Sequence, residues 1–295
     1  MKIKPVICWF SGGVTSAVAC KIAMDLYGKH NCKCVFIDTK NEDPDSYRFL
    51  YDCEMWYDMD IERITNEKYT NIQQVWKRFQ GLNFAHGAIC SSELKREVRI
   101  AYQKNHDYSY QVFGFDIKEP RRALAMKINY PETNPIFPLL LYAYTKEDCV
   151  TMLQDANIQI PAPYQYGFRN NNCFQTGCVQ GGIGYWQKMQ REFPKKFNDM
   201  ADEEHYLTGL RGSPVTMLKD QSAKAKQENN QLVFLRPHPD YPHIKDVSMM
   251  RGREPNPILE CNGFCGTRDL DGDVGEVDIN LEEPVRRARM TRKRK

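Results

Sequence analysis

The sequence lacks any apolar run of the length that crosses a membrane. Apolar residues make up 41% of its 295 residues, but no stretch approaches the roughly 20 consecutive apolar positions of a transmembrane helix. The start, Met1-Lys-Ile-Lys-Pro5, also lacks the apolar segment of a secretory signal. We therefore expect a soluble, cytoplasmic protein without a membrane partner, and the chain is long enough to bury a full core.

The cysteines do not have the pattern of a disulfide scaffold. There are eleven, an odd number, and Cys8, Cys20 and Cys149 stand within apolar patterns where a small hydrophobic residue fits. In a reducing compartment, closely spaced cysteines more often bind metals or carry redox chemistry.

The body of the chain also lacks excess positive charge. The net charge of +3 is smaller than the contribution of residues 284–295, which hold seven Lys and Arg and no acidic residue. The rest of the chain is therefore net acidic and is not expected to form a nucleic-acid surface. We expect residues 269–295, acidic and then basic, to be a disordered tail. Weak electrostatic binding of nucleic acid by this tail is the alternative.

Strand and helix patterns alternate along the first half of the chain. A short apolar run at 5–10 ends in Ser11-Gly-Gly, and helical spacing follows from Ser16 to Gly28. Further strands are predicted at 33–38, 61–64 and 110–115, with helices at 44–57, 72–79, 91–104 and 146–156. This alternation predicts an α/β fold with a doubly wound parallel sheet. The ends of its strands, at 11–16, 38–42 and 114–122, should meet in one crevice.

The turn from the first strand into the first helix has the composition of a phosphate site. Ser11-Gly-Gly-Val-Thr-Ser16 combines two glycines, which allow close backbone approach, with three hydroxyl groups and a helix N-terminus. A tight connection with no ligand is the simpler interpretation, but the strand-to-helix context favours an anion.

Several segments, in order, resemble the phosphoadenosine phosphosulfate (PAPS) reductase family, within the PP-loop ATP pyrophosphatases. Ser11 to Ser16 resembles the family's SGGxDS loop. The other matching segments are Phe36-Ile-Asp38-Thr39 with Pro44-Asp45, Cys90-Ser-Ser-Glu-Leu-Lys95-Arg96, Gly114 to Arg122 with Glu119, Asn134-Pro-Ile136 to Asp148, Ile160-Pro161, Tyr166-Gly167 and Gly177-Cys178.

The resemblance implies a Rossmann-like fold of the adenine nucleotide alpha-hydrolase type, binding ATP or PAPS. It implies a nucleotide-binding domain at 1–160 and a cysteine-containing region at 161–268 that completes the site. Mg²⁺ is a further candidate cofactor at the acidic end of the second strand. The implied nucleotide contacts are Ser11, Gly12, Gly13, Thr15, Ser16, Asp38, Gly114, Glu119 and Arg122, with Lys95 and Arg121 as catalytic cations.

Two departures from the family pattern bear on the substrate. Thr15 occupies the position where the pyrophosphatases have aspartate, which questions ordinary Mg-ATP handling. Phe115-Asp116 replaces a glycine-arginine pair of the sulfonucleotide reductases, so a cation suited to sulfate or phosphate is missing.

Five cysteines are candidate metal ligands. Cys173-x4-Cys178 and Cys261-x3-Cys265 form two short-spaced pairs that suit a four-thiolate zinc or iron–sulfur site. Cys90 is the fifth, because the resemblance also allows a four-iron four-sulfur cluster on Cys90, Cys173 and Cys178. A catalytic alternative makes Cys261 the nucleophile, since Glu260-Cys261 resembles the mobile Glu-Cys segment of PAPS reductases. Ordinary reduced thiols are the remaining interpretation.

We therefore expect an enzyme of the PAPS reductase type that performs sulfur-linked or adenylylating chemistry on an adenine nucleotide. An ATP-dependent enzyme that modifies or thiolates tRNA or DNA is the first alternative. A non-catalytic, zinc-stabilised nucleotide-binding module is the second. The sequence leaves a homodimer open.

Overall fold

A computed structural model describes residues 4–84, 87–171 and 173–255. Its central feature is a five-stranded sheet in the order β3-β2-β1-β6-β7, with every neighbouring pair parallel. The strands are β1 (Val6–Phe10), β2 (Cys32–Ile37), β3 (Glu62–Ile64), β6 (Tyr110–Val112) and β7 (Pro135–Ile136). The predicted α/β fold with a parallel sheet is confirmed.

Alternate residues of β1 pack on opposite faces of the sheet. Cys8 and Phe10 lie in a buried cluster with residues of the helices Val14–Tyr27, Pro44–Tyr57 and Lys146–Asp155. Ile7 and Trp9 pack with residues of the helices Glu97–Asn105 and Pro120–Asn129. All five residues of β1 are buried because helices cover both faces. The helices of this region are α1 (Val14–Tyr27), α2 (Pro44–Tyr57), α3 (Ile72–Phe79), α4 (Ile89–Ser91), α5 (Glu97–Asn105), α6 (Pro120–Asn129), α7 (Pro138–Leu141), α8 (Lys146–Asp155) and α9 (Ala162–Gln165).

Most cysteines of the sheet region serve as small core residues. Cys8, Cys20, Cys53 and Cys149 are fully buried, and Cys34 is nearly so. The described cysteines are all free thiols. Burial raises the pKa of Cys34 and Cys53. The neutral thiol form suits an apolar core, as the sequence predicts for Cys8, Cys20 and Cys149.

The second half of the chain contains two long helices and a small sheet. Long helices α10 (Ile183–Glu192) and α11 (Pro194–Arg211) are followed by a three-stranded sheet in the order β10-β9-β8. Its elements are β8 (Leu218–Lys219), α12 (Ala223–Gln227), β9 (Leu232–Phe234) and β10 (Lys245–Asp246). A small pair, β4 (Asn83–Phe84) and β5 (Gly87–Ala88), precedes α4. Strands of two or three residues are too short to show a period of two.

A buried carboxyl group joins α11 to the small sheet. Glu204 is fully buried, and its two carboxyl oxygens accept from the backbone N–H of Met217 at 2.6 Å and of Leu235 at 2.7 Å. Burial raises the pKa of Glu204 to about 8. The Glu204 side chain therefore accepts from two main-chain N–H groups in the way that a neighbouring strand would.

No helix within the described ranges is long and apolar enough to cross a membrane.

Candidate functional site

The glycine turn at Gly12-Gly13 connects β1 directly to α1. Gly12 has φ +80°, a left-handed conformation that favours glycine. The Ser16 hydroxyl donates to the Gly13 carbonyl at 2.8 Å and accepts from the Ser11 N–H at 3.0 Å. The predicted hydroxyls of Ser11 and Ser16 thus organise the turn itself, and Thr15 is buried. The donors that remain for an anion are the main-chain N–H groups.

The N-terminus of α1 has no side-chain cap. Its N-cap is Gly13, which has no side chain to accept from the first turn, and that turn contains no acidic residue. By contrast, Asp43, Asn71 and Thr145 cap α2, α3 and α8. The first turn of α1 therefore supplies no negative charge to the positive end of the helix dipole, which suits a bound anion.

Gly114 brings the end of β6 against the same turn. A Cβ at this position would lie 2.7 Å from the backbone N and Cα of Ser16 and 2.9 Å from the carbonyl carbon of Thr15. A side chain would therefore push β6 away from the turn. This contact explains why glycine occupies position 114, which the sequence predicts to be part of the site. It also brings together two of the three strand ends that the sequence predicts to meet.

Two residues that the sequence analysis did not select lie against the turn. The Asn171 amide donates to the Gly12 carbonyl at 2.8 Å and to the Ser46 hydroxyl at 3.0 Å. The backbone N–H of Val14 donates to the Tyr164 hydroxyl at 3.4 Å. The run of asparagines at 170–172, within a glycine-rich loop, was the available sequence signal. Its partners lie more than a hundred residues away, so its role follows only from the fold.

The loop after β2 carries a buried carboxyl and contacts a thiol from a distant loop. Glu42 is buried and accepts from the Thr39 hydroxyl at 2.9 Å. Burial raises the pKa of Glu42, while the Lys95 ammonium acts in the opposite direction. The Sγ of Cys173 lies 3.7 Å from the Thr39 hydroxyl. Predicted residues from three distant segments, Lys95, Cys173 and this loop, therefore come together.

Asp38 and Lys95 are held in distinct local structures. One carboxyl oxygen of Asp38 accepts from the Lys40 N–H at 2.7 Å and from the Tyr47 hydroxyl at 2.9 Å. Lys95 lies in a π-helical segment, Ser92–Arg96, between α4 and α5. Single π-helical turns occur frequently at functional sites, because they displace a side chain from the regular helical face.

The two arginines after Gly114 have different environments. Arg122 forms an ion pair with Glu119 and stacks over the Phe115 ring, with its guanidinium carbon 4.6 Å from the centroid. Arg121 is exposed at the start of α6. Asp116 is buried and accepts from the Lys118 N–H at 2.8 Å. The charge of Arg122, predicted to contact nucleotide, is thus balanced within its own segment, whereas Arg121 retains access to solvent.

Of the cysteines predicted to bind a metal, Cys90, Cys173 and Cys178 lie within the described residues. Cys90 and Cys178 are buried in one apolar cluster, and the Cys178 N–H donates to the Tyr185 hydroxyl at 3.1 Å. Across residues 4–84, 87–171 and 173–255, no three His, Cys, Asp or Glu side chains are grouped for a metal ion. The iron–sulfur cluster on Cys90, Cys173 and Cys178 stays a prediction. Cys261 and Cys265 lie outside the described residues.

The last described residues are held by hydrogen bonds to α10, the helix that follows the cysteine loop in sequence. The Gln187 side chain donates to the Met250 carbonyl at 3.0 Å and accepts from the Arg253 N–H at 3.2 Å. A Cβ on Gly184 would lie 2.7 Å from the Arg253 carbonyl oxygen, so glycine is required for this approach. The chain before residue 255 thus packs against the start of α10. This helix begins five positions after Cys178.

The sequence profile of the phosphoadenosine phosphosulfate reductase domain matches residues 5–179. The chain belongs to this family. No curated protein matches the sequence significantly.

Three solved structures are similar to parts of this PAPS reductase-family chain. PAPS reductase from Candida auris, in a phosphate complex, is 13% identical with a TM-score of 0.44, over 59% of this chain and 83% of that one. NMN synthetase from Francisella tularensis is 14% identical with a TM-score of 0.41, over 77% and 83%. The NH3-dependent NAD synthetase from Campylobacter jejuni is 12% identical with a TM-score of 0.37, over 71% and 84%.

Proposed function

We propose that this PAPS reductase-family protein is an enzyme that binds an adenine nucleotide, ATP or PAPS, with its phosphates at the Gly12-Gly13 turn. The observation that carries the proposal is the N-terminus of α1, which has a glycine N-cap and no acidic residue in its first turn, at the centre of a parallel sheet. Main-chain N–H groups and the helix dipole favour an anion there. The contact of Gly114 with Ser16 and Thr15 supports a turn of fixed shape.

Sulfur-linked or adenylylating chemistry is the reaction class that the surrounding residues support. Displacement at phosphorus or sulfur needs a positioned nucleotide and cations that neutralise developing charge. Lys95, whose charge lowers the pKa of the buried Glu42, and the exposed Arg121 are the candidate cations. Cys261 stays a candidate nucleophile from its sequence context. The basic tail lies outside the described residues, so no described contact favours nucleic-acid modification.

The metals implied by the sequence are a separate part of the proposal. The side chains of Asp38 and Glu42 already accept hydrogen bonds, and no group of three potential ligands forms within the described part of the chain. We therefore assign no reaction step to Mg²⁺, zinc or an iron–sulfur cluster. A thiolate site that joins Cys173 and Cys178 to Cys261 and Cys265 stays a prediction.

Titration calorimetry with ATP and with PAPS tests the nucleotide proposal. Gly13 has φ −97°, which alanine adopts freely, so Gly13→Ala adds a methyl group at the turn without backbone strain. We expect wild-type protein to bind one of the nucleotides and Gly13→Ala to bind at least tenfold more weakly. Gly209→Ala is the control, because nothing lies within 4 Å of its added Cβ. Pyrophosphate release or sulfite production then identifies the reaction, whereas absence of binding by wild type contradicts the proposal.

A further inference from the structure

The end of β2 lies beside the glycine turn and carries an acidic residue. The register of the two strands pairs Phe10 with Phe36. Gly12 and Asp38 each follow two positions later, and a Cβ on Gly12 would lie 3.8 Å from the Phe36 ring. Asp38 is still bonded to the sheet, because its N–H donates to the Ile64 carbonyl at 2.8 Å. Asp38 therefore lies at the same edge of the sheet as the turn, one strand to the side.

The Asp38 carboxylate is held through one of its two oxygens. That oxygen accepts from the Lys40 N–H at 2.7 Å and from the Tyr47 hydroxyl at 2.9 Å. Burial, together with the Asp38 charge, raises the pKa of Tyr47, so this hydroxyl stays protonated and donates. Among the described residues, no hydrogen bond reaches the second oxygen of Asp38, and the residue is half-buried. The second oxygen is therefore an acceptor with a fixed orientation.

Negative charge predominates in the segment that follows β2. Residues 38–48 contain four acidic residues and two basic ones. Of the basic residues, Lys40 donates to a backbone carbonyl at 3.2 Å, and Arg48 pairs with carboxylates of its own helix. Lys95 approaches from another segment, and its charge acts on the buried Glu42. A phosphate group placed beside this segment would therefore be repelled by carboxylates.

The end of β6, on the other side of the turn, also carries carboxylates. Asp116 is buried there, and Arg122 forms an ion pair with Glu119. Arg121 is exposed at the start of α6. Between these two strand ends, the main-chain N–H groups of the turn form the position that suits phosphate.

A buried carboxamide next to the turn lacks a donor. Asn170 precedes Asn171, whose amide contacts the Gly12 carbonyl. Asn170 is 8% exposed, and its side-chain oxygen has no hydrogen-bond partner within the described part of the chain. A buried acceptor without a partner is costly. A hydroxyl or amino group of a ligand would supply the donor that this oxygen requires.

The two candidate nucleotides present different groups to such an edge. ATP has hydroxyl groups on both the 2′ and the 3′ carbon of its ribose, whereas PAPS carries a phosphate on the 3′ oxygen. In nucleotide-binding parallel sheets, an acidic residue binds a ribose hydroxyl, whereas arginine accommodates a ribose phosphate. Carboxylate oxygens at the end of β2 therefore match a ribose with free hydroxyl groups.

We propose that the site selects adenine nucleotides with an unphosphorylated ribose, ATP rather than PAPS, and that Asp38 determines this selection. With the phosphates at the Gly12-Gly13 turn, the ribose lies over the neighbouring end of β2 and donates a hydroxyl to the second oxygen of Asp38. The inference rests on the proposed nucleotide function and names the class of nucleotide that the site takes.

Calorimetry on the full-length protein in metal-free buffer tests the proposal with two pairs of ligands. Each pair differs only in a 3′-phosphate: ATP with 3′-phospho-ATP, and adenosine 5′-phosphosulfate with PAPS. In each pair that binds, the unphosphorylated member should bind more tightly by about tenfold or more, because the added phosphate meets the Asp38 charge. Dideoxy-ATP, which lacks both ribose hydroxyls, should bind about tenfold more weakly than ATP, because a hydrogen bond to a charged group is lost.

Asp38→Asn removes the charge and keeps the size of the side chain. Its amide oxygen still accepts from Lys40 and Tyr47, whereas its amino group becomes a donor. The preference against the 3′-phosphate should therefore fall by about tenfold, and a general loss of stability does not change this ratio. Glu132→Gln is the matched control, because it makes the same charge change at an exposed position before β7, at the opposite edge of the sheet. It should keep the wild-type preference.

The outcomes separate this selectivity from the nucleotide function itself. If wild type binds the 3′-phosphorylated member of a pair as tightly as its partner, the selectivity is wrong and the nucleotide function stands. Equal affinity for ATP and dideoxy-ATP, or an unchanged preference in Asp38→Asn that circular dichroism shows to be folded, overturns the role of Asp38. Absence of binding by every nucleotide contradicts the nucleotide function and this inference with it.

Discussion

The side-chain amide of Asn171 donates to the main-chain carbonyl of Gly12 at 2.8 Å, across 159 positions of sequence. The same amide donates to Ser46 on α2, and its oxygen accepts from that hydroxyl at 3.3 Å. Asn171 therefore fixes the glycine turn relative to α2. Asn171 contacts the turn through the Gly12 carbonyl and not through one of its N–H groups.

Replacement of Asn171 by alanine should weaken nucleotide binding. The loss of one hydrogen bond that orders the turn corresponds to about 0.5–1.5 kcal/mol, or roughly a two- to tenfold increase in Kd. Calorimetry with the nucleotide bound by wild type measures the change. Asn198→Ala, at an exposed position, is the control and should bind normally. Equal Kd values for Asn171→Ala and wild type would contradict this role.

Gly114→Ala should destabilise the fold. The added methyl group would lie 2.7 Å from main-chain atoms of Ser16, so β6 or the turn must move, at a cost of about 1–3 kcal/mol. Urea unfolding monitored by fluorescence gives the difference. The control Gly209→Ala meets no neighbour and should be neutral or stabilising by up to about 1 kcal/mol, because alanine favours the helix. A Gly114→Ala protein as stable as wild type would show that the close approach is not maintained in solution.

Arg121 and Arg122 allow a matched comparison of function and stability. Arg122→Ala leaves Glu119 without its ion-pair partner and should cost about 1–3 kcal/mol. Arg121→Ala should leave stability within about 0.5 kcal/mol of wild type, since its side chain is exposed, but should lower kcat if it neutralises charge in the reaction. Unfolding curves and steady-state kinetics on both variants separate these effects. The opposite ranking in stability would contradict the assignment.

Glu204 should make stability depend on pH. Its pKa is raised from 4.5 to about 8 in the folded protein, so between these values the folded state binds a proton that the unfolded state has released. The free energy of unfolding therefore decreases as pH rises through this window, by about 1.4 kcal/mol per pH unit at most.

Urea unfolding at a series of pH values compares wild type with Glu204→Gln. Glutamine cannot ionise and should flatten the profile, although its single oxygen satisfies only one of the two N–H donors and overall stability falls. A variant with the same pH slope as wild type would show that another group titrates.

Elemental analysis of untreated protein should distinguish the two thiolate hypotheses. Cys261 is six residues beyond Pro255, a span of roughly 20 Å when extended, and residues 250–253 are held against α10. The two-pair hypothesis predicts zinc or iron that is lost in Cys178→Ser and in Cys261→Ser but kept in Cys90→Ser. Loss in Cys90→Ser with retention in Cys261→Ser would support the cluster hypothesis. Metal-free wild type would contradict both.

The sequence predicted those features that depend on local pattern. The apolar run of β1, the helical spacing after Ser16 and the glycine turn are all contiguous, so periodicity and turn chemistry identified them. Asn171, Tyr164 and the charged face of α11 depend on contacts between distant segments, which no local pattern records. The small sheet β8–β10 was missed because its shape depends on Glu204 and on packing rather than on strand propensity.

The central place of β1 has a further consequence. A strand with partners on both sides and helices on both faces opens only when the whole domain opens, whereas β3 and β7 at the edges exchange their amide protons through local fraying. The Gly12-Gly13 turn is attached directly to that most protected strand. A ligand bound at this turn would therefore stabilise the domain against global unfolding. Amide exchange throughout β1 would become slower, and this change would measure binding without a label.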